Sequence, residues 1–312
     1  MTHPQDGPPA PGDLEIVCGR WCAAVTTVGA ALRDLTCDGE PVLDGSAAGV
    51  RPRGARGEVL APWTNRLRDG RYVFDGTSHQ LRVTDESTGT ALHGLVSART
   101  WAVRRSEDDV VQLEHVLQGE PGYPWRLRLT VTYAVTPTGL VATQAVDNLS
   151  IAAAPYAVGA HPYLLAGPGP VDDWSIGLDA AQVMLVDDRR MLPLDVVDVG
   201  AAGLDLRVPR RLGTDRLNHA FTGLARDEDG RCRVVVSSPD GRQVVLWGGD
   251  GVRWLQLYTG DFDEVAPRRS VAVEPMSAPA DAFNSGRDLV VLAPAGRPGS
   301  SHRLQWGIDV AG

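Results

Sequence analysis

Short stretches in which apolar and polar residues alternate occur along most of the chain, and turn residues separate them. In the segment 125–136, the inner positions of one face are all apolar: Leu127, Leu129, Val131 and Tyr133. Successive side chains of a β-strand point to opposite faces, so this pattern predicts a strand with one buried face. The turn Pro-Thr-Gly at 137–139 and a second apolar stretch at 140–146 follow, which together predict an antiparallel hairpin.

Similar signals predict strands in many other parts of the chain, at 15–17, 22–27, 71–75, 79–83, 100–105, 110–117, 233–237, 243–247, 254–259 and 271–274. No segment longer than two turns has the 3.6-residue period of an amphipathic helix. Many short strands with turns between them are typical of a large all-β sandwich or barrel. We expect one β domain at 13–296, a disordered lead-in at 1–12 and a C-terminal tail at 297–312.

The composition narrows the classes of function. The 312 residues are 43% hydrophobic and 22% charged, and the formal net charge is −9. This is the balance of an ordinary soluble protein, and it lacks the excess of cations that neutralises the phosphates of a nucleic acid. No apolar run approaches the roughly 20 residues that span a bilayer, and residues 1–12 lack the apolar stretch of a signal peptide. We therefore expect a cytoplasmic protein without nucleic-acid or membrane partners.

Glu274 is a candidate for acid–base chemistry. It stands in the apolar segment Val-Ala-Val-Glu-Pro-Met, where Ala272 shares its strand face. Partial burial would raise the pKa of this carboxyl and make it a usable proton acceptor near neutral pH. A solvated carboxylate on the surface of a sheet is the structural alternative. The chain contains no lysine, which excludes a Schiff base between a lysine amine and an aldose.

His161 and His93 are candidates for proton transfer, because imidazole titrates near physiological pH. His161 lies in Gly-Ala-His-Pro-Tyr, and His93 in Leu-His-Gly, whose glycine permits another chain or a ligand to approach closely. A buried structural histidine is the alternative for both. Asn65 and Arg66 follow Pro-Trp-Thr in a loop, where the arginine would bond sugar hydroxyls or a carboxylate, or form a surface salt bridge.

Seven motifs, in this order along the chain, resemble those of the aldose 1-epimerase (galactose mutarotase) family. They are Asn65-Arg66-Leu67 with Gly70, Tyr72 with Phe74, Leu92-His93-Gly94, Gly122-Tyr123-Pro124-Trp125, Asp147-Asn148, His161-Pro162-Tyr163 and Val273-Glu274-Pro275-Met276. The resemblance implies that 13–296 is a single catalytic domain, a large antiparallel β-sandwich of the galactose mutarotase-like supersandwich type. A sugar cleft would lie on one sheet.

The resemblance also implies a chemistry and a set of roles. The family interconverts the α and β anomers of free aldoses without a metal or a cofactor. Glu274 matches its general base and His161 its general acid. His93 matches a second histidine of the site, and Arg66, next to Asn65, matches the arginine that contacts the sugar.

Two further matches lie near the end of the predicted site. Tyr258, in Leu-Tyr-Thr, matches an aromatic wall of the cleft. Asn218 stands where the family usually has an aspartate that contacts sugar hydroxyls. An asparagine keeps a hydrogen-bonding side chain but loses the charge and gains donors, which bears on hydroxyl selectivity more than on the reaction.

Two other functions stay open at the level of the sequence. A hexose-6-phosphate 1-epimerase of the same fold would need a cationic pocket, for which Arg51, Arg53 and Arg56 are candidates. A non-catalytic carbohydrate-binding module would bind aldoses without accelerating their anomerisation, but binding alone would not need both Glu274 and His161. We expect a small-molecule aldose as the partner, and a monomer or a weak homodimer.

Overall fold

Two large antiparallel sheets, of nine and eight strands, contain most of the strand residues in the computed structural model. The structure describes residues 13–50, 52–263 and 265–311, and the predicted lead-in at 1–12 lies outside them. Every strand pair within these ranges is antiparallel, which confirms the predicted all-β class. No helix in the described part of the chain is long and apolar enough to cross a membrane.

Three small sheets belong to the first part of the chain. Four strands pair in sequence order: β1 (Asp13–Cys18), β2 (Trp21–Thr26), β3 (Leu32–Cys37) and β4 (Glu40–Pro41). A 3-10 turn at Arg53–Ala55 and the strand β5 (Val59–Leu60) follow. The other two sheets are strand pairs: β6 (Arg66–Arg68) with β9 (Thr90–Leu92), and β7 (Arg71–Phe74) with β8 (Thr77–Gln80).

The nine-stranded sheet contains the long predicted hairpin. Its strands lie in the spatial order β10 (Ala102–Ser106), β11 (Val110–Leu117), β12 (Leu127–Thr136), β13 (Gly139–Asn148), β27 (Ser301–Ala311), β23 (Gln243–Gly248), β22 (Cys232–Ser237), β17 (Ser175–Leu178) and β20 (Arg210–Arg211). Strand β12 pairs with β13 along its whole length, as the alternation at 125–136 and 140–146 predicts.

The expected C-terminal tail at 297–312 is wrong. Ser301–Ala311 of this segment form β27, which lies in the middle of the nine-stranded sheet and pairs with β13 on one side and β23 on the other. Leu304, Trp306 and Ile308 alternate along this strand and are at most 1% exposed. The segment has the period-two pattern of a half-buried strand, so the β domain extends into the residues that the prediction assigned to a tail.

The eight-stranded sheet carries the candidate site. Seven of its strands lie in the spatial order β19 (Pro193–Asp198), β18 (Ala180–Val186), β21 (Asn218–Leu224), β24 (Trp254–Tyr258), β25 (Val271–Met276), β15 (Gly159–Ala160) and β5, and β16 (Tyr163–Leu164) pairs with another part of β25. The described chain also includes a 3-10 turn at Val171–Asp173, the one-turn helix α1 (Ala282–Ser285) and the pair β14 (Ala154–Tyr156) with β26 (Val290–Leu292).

A common apolar core joins the two large sheets. Leu129 and Val131 of β12 belong to the same buried cluster as Leu257 of β24 and Val273 of β25. Because side chains alternate along a strand, the other face of β24 and β25 points away from this core. That outer face of the eight-stranded sheet carries Glu274.

Candidate active site

Glu274 lies at the centre of the outer face of the eight-stranded sheet. Every residue of β25 is buried, and Glu274 is 2% exposed. Its Oε2 atom is buried without a hydrogen-bond partner among the described residues. Burial raises the pKa of Glu274 to about 8, and the positive charge of Arg66 opposes this rise only in part. Glu274 is therefore not a solvated carboxylate on the surface of a sheet, which was the structural alternative at the level of the sequence.

His161 lies opposite Glu274, in the connection between β15 and β16. Its backbone N–H donates to the carbonyl of Glu58, and its own carbonyl accepts from the N–H of Gly57. The imidazole stacks on Tyr163 with ring centres 5.0 Å apart and planes within 7°. Hydrogen bonds of the backbone and the stacking on Tyr163 thus fix the position of the imidazole and the direction of its nitrogen atoms.

The carboxyl and the imidazole form a buried pair. Glu274 Oε1 is 3.3 Å from His161 Nε2. Burial lowers the pKa of His161 to about 3, and the Arg56 guanidinium adds to the decrease. Since burial disfavours both charges, the pair holds one proton at neutral pH, with the carboxyl protonated and the imidazole neutral.

The small sheet of β6 and β9 brings His93 and Asn65 to the same place. The N–H of His93 donates to the carbonyl of Asn65 at 2.9 Å. Both residues have left-handed backbones, with φ of 60° at His93 and 51° at Asn65, a conformation that is strained for most residues and is found often at binding sites. The His93 ring meets His161 edge to face, with centres 5.2 Å apart. Burial, together with His161 and Arg66, lowers the pKa of His93 well below its usual value.

Arg66 is oriented by two neighbours. Its Nη1 donates to Asn65 Oδ1 at 3.3 Å, and its Nη2 lies 3.6 Å from Asp85 Oδ2. The Nε atom is buried without a partner among the described residues. The guanidinium also interacts electrostatically with Glu274. Arg66 thus supplies a positive charge that acts on Glu274, and an Nε donor without a partner among the described residues.

Asn218 and Tyr258 lie on the outer face of the eight-stranded sheet, next to the row that contains Gln256 and Glu274. They are directly opposite each other on β21 and β24. The hydroxyl of Tyr258 accepts the N–H of Phe262 at 2.7 Å. The side chain of Asn218 accepts, through Oδ1, a hydrogen bond of 2.7 Å from Gln256 Nε2. The Oδ1 atom of Asn218 is therefore engaged within the protein, and its NH₂ group is the part of the side chain that can donate.

Gln256 is a site residue that sequence reasoning missed. It lies on β24 directly between Glu274 on β25 and Ala220 on β21, and it is 5% exposed. The only signal in the sequence was its position two residues before Tyr258, since positions i and i+2 share a strand face. The sequence named Arg56 only as a candidate for a phosphate pocket and Tyr163 only as part of a motif, and it did not reveal their place beside His161. The guanidinium of Arg56 lies 4.2 Å from the centre of the Tyr163 ring that stacks on His161.

Two of the three arginines proposed for a phosphate pocket, Arg53 and Arg56, pair with carboxylates. Arg56 is 6% exposed and bonds both Asp44 and Asp263, while Arg53 lies 3.6 Å from Asp263. Arg51 lies outside the described residues. The positive charge of Arg56 is therefore balanced by carboxylates. Its side chain contacts the Tyr163 ring that stacks on His161.

The sequence from Ile16 to Arg303 matches the family model described as aldose 1-epimerase. The chain belongs to the aldose 1-epimerase family. Among its relatives, the uncharacterized protein YihR of Escherichia coli K12 is 33% identical over 95% of this chain and 92% of its own length. The galactose mutarotase of Homo sapiens is 27% identical over 66% of this chain and 62% of its own length.

The fold of this aldose 1-epimerase family member is shared with solved structures. The aldose epimerase homologue from C. elegans superposes with a TM-score of 0.84, at 19% identity, over 96% of this chain and 98% of that one. A galactose mutarotase-like protein from Clostridium acetobutylicum gives 0.82 at 16% identity, over 95% and 94% of the two chains. These likenesses confirm the predicted galactose mutarotase-like sandwich.

Proposed function

We propose that this protein is a mutarotase that interconverts the α and β anomers of free aldohexoses by acid–base catalysis. The observation that carries the proposal is the buried pair of Glu274 and His161, with 3.3 Å between Oε1 and Nε2. Opening a hemiacetal ring requires one group that takes a proton and one that gives a proton, on either side of one carbon atom. A carboxyl and an imidazole that share a single titrating proton meet this requirement near neutral pH.

The reaction begins when Glu274, as the carboxylate, takes the proton of the C1 hydroxyl. His161, as the imidazolium, gives a proton to the ring oxygen, the C1–O5 bond breaks, and an open aldehyde forms. Rotation about the C1–C2 bond presents the other face of the aldehyde, and the proton transfers then run in reverse to close the ring. The free pair reaches this charged arrangement by one proton transfer between Oε1 and Nε2, which are 3.3 Å apart.

We assign Arg66 two tasks in this proposal. Its positive charge favours the ionised form of Glu274, because it opposes the rise in pKa that burial causes. Its unpartnered Nε is a donor for a sugar hydroxyl. His93 is neutral, since its pKa is lowered, and it is held against His161 where it would contact the sugar. Asn65 orients Arg66 through its carbonyl-type oxygen.

Asn218 and Tyr258 complete the proposed substrate contacts. Tyr258 would line one side of the sugar, since its ring stands edge to face against Tyr163. Asn218 would donate to a sugar oxygen through its NH₂ group, while its Oδ1 accepts the hydrogen bond from Gln256.

The unphosphorylated substrate is favoured over a sugar phosphate. The guanidinium of Arg56 is bound by Asp44 and Asp263, so it does not offer a free charge to a phosphate. A neutral aldose also needs no electrostatic attraction from a chain with a net charge of −9. The cytoplasmic location and the state of monomer or weak homodimer stay predictions.

Polarimetry on freshly dissolved α-glucose and α-galactose tests the proposal. We expect the enzyme to accelerate mutarotation of at least one sugar, and Glu274→Gln to lower kcat by about 10²–10⁴-fold while the protein stays folded. Near-normal activity of this variant would contradict the assignment. Glucose 6-phosphate as a parallel substrate distinguishes the phosphate-specific enzyme, and tight binding of aldoses without any acceleration would identify a binding module instead.

A further inference from the structure

The His161 imidazole packs on a ring that also contacts a buried cation. The Tyr163 ring stacks on His161 with centres 5.0 Å apart, and the guanidinium carbon of Arg56 lies 4.2 Å from the centre of the same ring. These two distances place the cation within about 9 Å of the imidazole centre, which is less than a Debye length at physiological salt. Arg56 and Tyr163 are only 6% and 4% exposed, so water and salt screen this charge little.

Hydrogen bonds from all three nitrogen atoms hold the guanidinium of Arg56. Its Nε and Nη2 donate to Asp44 Oδ2 at 3.1 and 2.9 Å, and Nη2 also donates to Asp263 Oδ2 at 2.6 Å. Its Nη1 donates to the carbonyl of Arg53 at 3.0 Å. Because its nitrogen atoms are engaged within the protein, Arg56 affects the reaction through its neighbours and not by binding the sugar.

The two carboxylates that balance Arg56 are shared with other arginines. Arg53 lies 3.6 Å from Asp263, and Arg269 lies 3.5 Å from Asp44. The cluster therefore contains three guanidinium groups and two carboxylates, and it keeps a net positive charge beside the stacked rings. Removal of the Arg56 charge would change this balance by one unit.

The titratable groups that contact His161 come from several elements. His93, after β9, is neutral because burial lowers its pKa well below the usual value. Tyr163 of β16 keeps its proton, since burial raises its pKa. Glu274 of β25 shares the proton of the pair. Arg56 thus supplies a permanent charge, and this charge lowers the pKa of His161 in the same direction as burial does.

The segment that carries Arg56 also binds the two stacked residues. The N–H of Gly57 donates to the carbonyl of His161 at 2.9 Å, and the hydroxyl of Tyr163 donates to the carbonyl of Gly54 at 3.0 Å. The position of the imidazole therefore depends on this segment as well as on the stacking.

We propose that Arg56 and Tyr163 are positioning residues for the acid of the reaction: the Tyr163 ring fixes the place of His161, and the charge of Arg56 favours release of the imidazolium proton to the ring oxygen of the sugar. This inference rests on the proposed mutarotase function. When the C1–O5 bond breaks, the proton passes from Nε2 to O5 and the imidazole becomes neutral. A nearby cation favours this step, because it destabilises the charged imidazolium more than the neutral imidazole.

NMR of carbon-13-labelled histidine tests the charge, with the His161 signal assigned by its absence in His161→Gln. At an effective dielectric constant of about 20, loss of one charge at about 9 Å raises the protonation constant of an imidazole about tenfold. On lowering the pH, His161 of Arg56→Gln should therefore begin to take up its proton about one pH unit above wild type. Arg56→Lys keeps the charge and should follow wild type. Arg53→Gln is the matched control, since Arg53 is 54% exposed and water screens its charge.

Steady-state polarimetry tests the position of the acid. Arg56→Gln should lower kcat about tenfold and leave KM within about twofold, because the side chain does not bind the sugar. Tyr163→Leu is the second variant, in case Arg56→Gln does not fold. It removes the ring but none of the charges, and it should also lower kcat about tenfold, whereas Tyr163→Phe keeps the ring and should recover most of this loss.

Three results would overturn the inference: a folded Arg56→Gln in which His161 titrates as in wild type, equal shifts in Arg56→Gln and Arg56→Lys or Arg53→Gln, or a Tyr163→Leu variant with the kcat of wild type. The NMR titration needs no turnover. It therefore decides on Arg56 even if wild type anomerises no aldose, a result that would refute the mutarotase function alone.

Discussion

Glu274→Gln is expected to change how the stability of the protein depends on pH. Burial raises the pKa of this carboxyl in the folded state from 4.5 to about 8. Between these values, the unfolded chain has lost the proton while the folded chain still holds it, so folding becomes less favourable as the pH rises. Gln has nearly the same shape and no charge, so the variant is free of this loss.

The magnitude follows from the two pKa values. Ionisation of Glu274 destabilises the fold by about 1 kcal/mol at pH 5, about 3 kcal/mol at pH 7 and about 5 kcal/mol at pH 9. The free energy of unfolding of Glu274→Gln relative to wild type should therefore increase by about 4 kcal/mol from pH 5 to pH 9. The imidazole of His161 is neutral in this range, because its pKa is lowered, and it does not compensate the carboxylate.

Urea unfolding followed by tryptophan fluorescence, at several pH values between 5 and 9, measures this difference. Glu228→Gln is a matched control, because Glu228 is exposed in a surface loop and the same substitution there should leave the pH dependence of wild type unchanged. A difference between Glu274→Gln and wild type that is constant from pH 5 to pH 9 would refute the raised pKa of the buried Glu274 carboxyl.

Three further predictions address other parts of the site. His161→Gln should lower kcat by about 10²–10⁴-fold. Burial lowers the pKa of His161 to about 3 in the folded protein, so below the pKa of a free imidazole only the unfolded chain takes up this proton. Acid unfolding curves should therefore show that wild type loses stability relative to His161→Gln as the pH falls through that range. Asn218→Asp replaces a donor by a charged acceptor for the sugar hydroxyls, and it should lower KM for an aldose about tenfold with little change in kcat. Steady-state polarimetry measures both constants, and wild-type values of both would contradict this prediction. Gly94→Ala would bring a side-chain carbon within 2.0 Å of the Ala61 carbonyl at a φ of +82°, so it should destabilise the fold, by about 2 kcal/mol or more in thermal unfolding, and displace His93.

The local pattern of the sequence determined the strands that form regular hairpins. The alternation at 125–136 and the turn after it correspond to β12 and β13, because a hairpin depends on residues that are neighbours in sequence. The motifs around Glu274 and His161 also pointed to one family, since each motif is a short segment. The same local reasoning did not reveal strands such as β15, which has two residues, or the role of β27 at the centre of a sheet.

The tertiary structure alone decided what surrounds each candidate. Gln256 lies between Ala220 and Glu274 because three strands that are separated in sequence are adjacent in the sheet. The pKa of Glu274 depends on burial by residues from several segments, and no local pattern encodes that burial. Arg190 likewise reaches Thr88 across about a hundred residues of sequence. Periodicity specifies which face of a strand is apolar, whereas the packing of distant strands decides which side chains meet.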